Sequence, residues 1–412
     1  MAQLREVVVI DAVRSAMGRS GWKGMAKGGQ LKEASAQDLV ATVMRGLIDR
    51  VKAKCPKFEE RLIEDVIIGC LSQIGEQGLN IGRVAALIAG IPKEAAGCTI
   101  NRYCNAGLQA INFGYMSIAT GAGDVVICAG VEIMSHYGMG SDFRVAVDAK
   151  YPVRMSKNFT STGMTVPQGV SAEMIAEKYN FSREELDRFG IWSHQKATKA
   201  QRAGLFADHI IPFKLIENGQ EKIIDTDETI RHICLDDPEK AWADMQKLKS
   251  PFKEGGRVTA ASSSQIVDGA GAVMLMSADK AEELGLEPMA RILSTAIAGD
   301  DPTIMLLGPI PAMKKALKRA NATIDDMDII EPNEAFASPC LAFAKEFGYA
   351  FDDPRQNPTG GAIALGHPIG ASGVIYFGEM VHEIKRRKLG KGIQMMCGGG
   401  GVGIATVVEG IH

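Results

Sequence analysis

The two ends of this chain repeat one another, and that repetition narrows the possible folds before anything else does. Ile63-Glu64-Asp65-Val66, followed by Ile67-Ile68, matches Ile324-Asp325-Asp326-Met327, followed by Ile329-Ile330, 261 residues later. Residues 101–108 (NRYCNAGL) form a glycine-bearing turn that opens a segment with apolar residues at Leu108, Ile111, Tyr115 and Ile118. Residues 357–373 (NPTGGAIALGHPIGASG) do the same ahead of Val374, Phe377, Val381 and Ile384. Both sets have the 3, 4, 3 spacing of one helix face. Cys104 and His367 are offset by 263 residues. The strand ends Cys128-Ala129-Gly130 and Cys397-Gly398-Gly399 are offset by 269. Three matches in the same order predict two similar α/β halves. The competing reading is that any two strand–helix–strand units look alike at this level.

Short apolar runs at 7–10, 66–68, 125–128, 273–276, 328–330, 393–396 and 404–408 alternate with helical periodicity, the α/β pattern. The stretch 136–265 differs. It is richer in charge, carries Pro152, Pro167, Pro212, Pro238 and Pro251, and shows helical periodicity over 171–179. Ser182-Arg183-Glu184-Glu185 is a capping box that starts a second helix reaching about Ala203. We read this stretch as a lobe inserted over the mouth between the halves. The expected organisation is 1–135 with 266–288 as the first half, 136–265 as the insertion and 289–412 as the second half.

The 412 residues carry 46 Lys+Arg against 49 Asp+Glu, a formal charge of −3, which gives no electrostatic case for nucleic acid or an anionic membrane. No apolar run approaches the roughly 18 residues of a membrane span. The run Val7 to Ile10 is too short for a signal-peptide core, so a cytoplasmic protein is expected. Eight cysteines (Cys55, Cys70, Cys98, Cys104, Cys128, Cys234, Cys340 and Cys397) are scattered without CxxC spacing. They read as reduced thiols, with no disulfide framework and no metal-ligand cluster.

Four places could carry chemistry. Cys104 lies in a polar turn ahead of a helix, where exposure, free N–H groups and the helix dipole would favour a thiolate. Taken alone, the turn favours the other reading, a buried, inert cysteine. His367, between Gly366 and Pro368 in a glycine-rich run, is placed as a base opposite that thiol, or as an ordinary satisfied histidine. Cys397 precedes four glycines, 398–401. That run could cradle a phosphate, or it could leave room for substrate and offer backbone N–H groups to an oxyanion. Asn333-Glu334-Ala335-Phe336 follows an expected strand end, where α/β folds bind ligands; alternatively it is a surface turn.

Taken together, these segments resemble the thiolases, the acetyl-CoA C-acyltransferases, nearly end to end. The resemblance starts at Asp11-Ala12-Val13-Arg14 with Gly18-Arg19 and runs through Asn101-Arg102-Tyr103-Cys104, Val258-Thr259-Ala260 and Asp268-Gly269-Ala270. It continues through Gly308-Pro309-Ile310-Pro311, Asn333-Glu334-Ala335-Phe336, 360–373 and 397–403. It implies two α-β-α-β-α layered halves with an inserted loop domain, and thiolysis of 3-ketoacyl-CoA in fatty-acid metabolism. In the implied roles, Cys104 is the acylated nucleophile, His367 takes its proton and points at a thioester oxygen, and Cys397 is the second acid/base. Asn333 holds a water that forms one oxyanion hole with His367. The backbone N–H groups of Cys104 and Gly399 form the other.

Ser264, Ala260 and Phe252 match positions along the pantetheine and adenine path. Met305 and Phe336 match apolar positions at the acyl end. Lys247, Lys249, Lys253 and Arg257 suit a CoA phosphate or simply a solvated face. Coenzyme A is implied as a substrate, with no metal or other cofactor, and a homodimer or homotetramer is expected. The chain departs from the family pattern at Asn105-Ala106, Ala261-Ser262 and Pro332. The largest departure is Pro167-Gln168-Gly169, where short-chain thiolases carry His-Met-Gly, and it leaves the acyl chain open. Two alternatives stand beside this reading: a decarboxylative β-ketoacyl synthase, against which Cys397 argues, and an inactive thiolase-like subunit that binds lipid or a partner enzyme.

Overall fold

The computed structural model describes residues 4–21, 28–217 and 219–412. Residue 1, where the first half is drawn to begin, lies outside them. The strands are β1 (Val7–Arg14), β2 (Gly18–Arg19), β3 (Asp65–Gly69), β4 (Cys98–Ile100), β5 (Val125–Ile133), β6 (Phe213–Glu217) and β7 (Gln220–Ile224). They continue with β8 (Val267–Ser277), β9 (Ala290–Gly299), β10 (Ile329–Pro332), β11 (Lys391–Gly398) and β12 (Val402–Gly410). Ten of them join in the order β10-β11-β12-β9-β1-β8-β5-β3-β4, with β2 beside β8, while β6 and β7 form a separate hairpin.

The duplication is written in this topology. From the centre outward, β1-β8-β5-β3 makes two antiparallel steps and then a parallel one. On the other side β9-β12-β11-β10 makes the same three steps. The two sides meet where Val8 pairs with Arg291 and Val9 with Ala290.

Helices cover both faces, which is why the strands read as continuous apolar runs rather than alternating ones. In β1, Val7 and Val9 join the central cluster, while Val8 and Ile10 join an outer one with the Ala36–Lys54 helix. The central layer is the Ala106–Ala119 and Ser372–Arg387 helices. Leu108, Ile111 and Ile118 from one, and Val374, Phe377, Val381 and Ile384 from the other, share a cluster with strand residues of both sides. Each such side chain, fully buried, stabilises the fold by about 1.5–3 kcal/mol. The Pro309–Arg319 helix covers the far face through Ala312, Met313, Ala316 and Leu317. The result is the expected α-β-α-β-α layering.

Glycine sets how closely the two central helices cross. A Cβ on Gly373 would lie 2.1 Å from the Leu108 nitrogen, and one on Gly107 would lie 2.9 Å from the Gly370 oxygen. Any side chain at either position would prise the helix starts apart. The turns leading into those starts carry Cys104 and His367.

Between β5 and β8 lie the Gln168–Lys178 and Arg183–Arg202 helices. The second opens on Ser182 with both hydrogen bonds of the expected capping box. Ala172, Ile175, Leu186 and Phe189 pack with Met305, Phe336 and Cys397 in one cluster, so these helices lie over the β11 end. A buried charge cluster ties the later part of this stretch to both halves. Arg14 donates to both Asp227 oxygens at 2.9 Å and to Glu379 at 2.6 Å, and His209 Nε2 lies 2.9 Å from the same Glu379 oxygen. Five strands escape sequence reading: the two-residue β2, the three-residue β4, the β6–β7 hairpin, and β9, whose apolar residues are broken by Arg291, Ser294 and Thr295.

Candidate active site

Tyr103 sits in the left-handed region at φ 51°, a conformation that costs a non-glycine residue strain. Asn101 Oδ1 holds it there by accepting from the Tyr103 N–H at 2.8 Å. The kink turns the next residue, Cys104, inward instead of outward. Its side chain is 4% exposed and packs with Met134 and Ile369. Of the two readings of this turn, the structure takes the buried one rather than the exposed, low-pKa thiol. Burial pushes Cys104 up to about 11, while the Gln168 amide and the N–H groups of Cys104 and Gly399 pull the other way. The helix start is present, as expected, but neighbouring chain closes over it and desolvation wins.

His367 is held from every side. Its N–H donates to the Gln265 carbonyl at 2.9 Å, and its Nδ1 lies 2.6 Å from Ser372 Oγ. Ser372 spends its own proton on the Pro368 carbonyl at 3.1 Å. The hydroxyl must then accept from Nδ1–H, so Nε2 carries the lone pair. That lone pair faces Asn333 Nδ2 at 3.5 Å. Burial pulls His367 down to about 4, so the ring is neutral at working pH. Ser372, which holds the His367 ring, is not singled out by the sequence reading; its one cue is its place five residues after His367.

Asn333 follows β10, its N–H donating to the Met395 carbonyl at 2.9 Å. Its amide also donates to Cys397, which ends β11 and is 1% exposed. Burial, with Cys104 close by, raises the Cys397 thiol well above its ordinary range; its own N–H and Asn333 oppose this. Beyond it, Gly400 and Gly401 take φ values of 72° and 80°, which glycine adopts freely. This bend carries the Gly399 N–H to the Cys104 sulfur. Cys104, His367, Asn333 and Cys397, drawn from four separate segments, thus meet at one place.

Two buried carboxylates clamp the turns. Glu132 on β5 accepts from the N–H groups of Leu71, Ser72 and Gly370 and from Gln77, all within 2.9–3.0 Å. It joins the β3 end to the turn after His367, and sequence reading missed it. Glu334 is not the surface residue allowed for above. It is fully buried, accepting from Asn357 at 2.7 Å, Ser193 at 2.6 Å and the Ile363 N–H at 3.1 Å.

Met305, Phe336 and Phe252 gather beside Cys397, with the Phe252 and Phe336 rings edge-on at 5.7 Å. Ser264 is fixed next to them by its N–H to the Ala335 carbonyl at 3.0 Å. Ala260 is exposed on the short Ala260–Ser262 turn. A cleft of about 600 Å³ opens beside Phe252, lined by Arg183, Leu248, Lys249 and Lys253. Lys253 pairs with Glu177, Lys247 with Asp244, and Arg257 donates to the Ala176 and Phe181 carbonyls. Of the four basic residues, three are thus already engaged. A cleft of about 680 Å³ near Arg45 and Phe213 holds none of the site residues.

Residues 7–279 match the family model described as "Thiolase, N-terminal domain", and residues 286–410 match "Thiolase, C-terminal domain". The chain is 43% identical over 407 residues to a 3-ketoacyl-CoA thiolase of Psychrobacter cryohalolentis, covering 98% of each. It is 42% identical over 411 residues to one of Marinobacter nauticus, again covering 98% of each. Its fold superposes on the crystal structure of the Bacillus anthracis acetyl-CoA acetyltransferase with a TM-score of 0.86, at 34% identity and over 100% of both chains. Two repeated halves that bring a cysteine–histidine pair onto an asparagine and a second cysteine, matched over their whole length, place this chain in the thiolase family.

Proposed function

We propose that the protein is an acetyl-CoA C-acyltransferase, cleaving 3-ketoacyl-CoA with CoA to give acetyl-CoA and an acyl-CoA two carbons shorter. In reverse it condenses acetyl-CoA with an acyl-CoA. The observation that carries this reading is the convergence of Cys104, His367, Asn333 and Cys397 at the glycine turn.

The sulfur of Cys104 gives its proton to His367 Nε2 and attacks the 3-keto carbon. The oxyanion formed there is held by the N–H groups of Cys104 and Gly399; losing one such donor typically costs about 2.7–4 kcal/mol of barrier. The C2–C3 bond then breaks, leaving an acyl group on Cys104 and an acetyl-CoA enolate. His367 Nε2, now carrying the proton, donates to the enolate oxygen. A water held by Asn333 is the second donor; Asn333 Oδ1 is buried with no hydrogen-bond partner among the described residues. Cys397 protonates the enolate carbon, and its thiolate takes the proton of incoming CoA. The CoA thiolate attacks the acyl group, and His367 returns the first proton to Cys104. Atoms and charge balance with CoA as the sole co-substrate.

Phe252, Ser264, Ala260 and Lys249 line the proposed CoA path, and Met305 with Phe336 bounds the acyl end. We assign 1–135 with 266–288 to the half bearing the nucleophile, 136–265 to the CoA-binding insertion, and 289–412 to the half bearing His367 and Cys397. A homo-oligomer fits the open edge of β4, which ends the sheet. A cytoplasmic setting fits eight free thiols. Among the described residues no helix is long and apolar enough to cross a membrane. The test is CoA-dependent cleavage of 3-ketoacyl-CoAs of about four, eight and sixteen carbons. Cleavage of any of them supports the reading, and the range cleaved sets the chain-length class. Failure on all three, with malonyl-dependent condensation instead, overturns it.

A further inference from the structure

We infer that Gln168 is a working part of the nucleophile: its side-chain amide donates to the Cys104 sulfur and stabilises the thiolate that forms when the proton passes to His367. The inference rests on Cys104 being the nucleophile. Gln168 is the first residue of the Gln168–Lys178 helix, and its Nε2 lies 4.0 Å from Cys104 Sγ, at hydrogen-bond reach for sulfur. It makes no other side-chain hydrogen bond among the described residues. Its aim is fixed by its neighbour: a Cβ on Gly169 would lie 2.0 Å from the Phe252 ring, so the helix start is pressed against Phe252 and cannot drift.

The surroundings of the sulfur show why such a donor matters. From β5, the carboxyl of Glu132 opposes a negative sulfur. From β11, the Cys397 thiol lies close by. His367 is neutral and supplies no positive charge. Among the described residues, the Gln168 amide and the Cys104 and Gly399 N–H groups favour the charged form. An amide keeps its donor at every pH and adds no charge. Once Cys104 is acylated the sulfur is neutral, and the amide is released from that duty. The glutamine found where short-chain relatives have a thioether thus gains a chemical reason, beyond the shape of the acyl pocket.

The experiment follows iodoacetamide alkylation of Cys104 against pH in the free enzyme, read by mass spectrometry. Gln168→Met keeps the side chain's length and removes the donor. The alkylation midpoint should rise by about 0.5–1 pH unit, slowing alkylation below the midpoint three- to tenfold, with the alkaline plateau unchanged. Gln168→Glu should raise it further by setting a carboxylate beside the sulfur. If the Met variant proves unstable, Gln168→Asn withdraws the donor by one methylene and should give the same direction. Midpoints that coincide with wild type in the folded variants would overturn the inference. Separately, an alkylated Cys104 that leaves thiolysis intact would overturn the nucleophile assignment itself, so the two failures are distinct.

Discussion

Replacing Ser372 by alanine removes a single oxygen atom that touches no substrate. It should nonetheless slow turnover strongly. In the native site the hydroxyl accepts from His367 Nδ1 at 2.6 Å and passes its own proton to the Pro368 carbonyl at 3.1 Å. This fixes the tautomer with a lone pair on Nε2. Without the oxygen, the Nδ1–H has no partner in a site where His367 is only 7% exposed. Leaving a buried donor unsatisfied costs about 1–3 kcal/mol. The ring can avoid that cost by moving its proton to Nε2, where it can no longer accept one from Cys104. The base-competent fraction, and with it kcat, should therefore fall by about 5- to 150-fold. Steady-state thiolysis gives the loss, and the ¹⁵N shifts of the imidazole report the tautomer directly. Ser372→Thr keeps the oxygen and should restore both. An alanine variant with native kcat and an unchanged tautomer would refute the reasoning.

Three further outcomes are expected. Cys397→Ala should still accept an acyl group on Cys104 from acetyl-CoA, slowly, but should lose exchange of the acetyl α-protons; normal exchange by proton NMR would remove Cys397 from the carbon acid/base role. Arg14→Met leaves Asp227 and Glu379 as buried charges without their cation, and should cost about 3–5 kcal/mol in chemical denaturation. A loss under 1 kcal/mol would mean that the cluster is not held by charge. Asp268 is raised to about 6 by burial, which outweighs its bonds from Ser135. Its folded form thus holds a proton that the unfolded chain, at 3.8, has released. Stability from this group is present below pH 4 and lost as pH rises to about 6, about 3 kcal/mol in all. Asp268→Asn should remove that portion of the pH dependence, and parallel urea midpoints for the two proteins between pH 4 and 7 would contradict this.

The repeat was legible because it lies in short-range features: the 3, 4, 3 apolar spacing, the glycine turns and the strand ends. Two similar α/β halves follow from those signals; the layering and the joint role of the four residues rest on the resemblance to the thiolases. What escaped depends on partners distant in the chain. Cys104 could be read as exposed because its own turn is polar; the segments that bury it, around Gln168 and Gly399, arrive 64 and 295 residues later. Glu132 reads as an ordinary surface carboxylate until Leu71, Ser72 and Gly370 turn their N–H groups on it. Strand β9 hides because Ser294 and Thr295 interrupt its apolar run, although its partner in the repeat, β1, is among the plainest strands in the chain.

Arg14 comes from β1, Glu379 from the Ser372–Arg387 helix, and Asp227 with His209 from the stretch between β5 and β8. A single cation thus draws on both repeats and on the covering lobe at once. A lobe fastened in that way is not a flap that lifts with each turnover, because lifting it would break the buried ion pairs that hold Arg14 between Asp227 and Glu379. Traffic through this enzyme would have to thread a doorway whose frame stays still. Selection among substrates would then be made by the side chains lining the passage rather than by a closing motion.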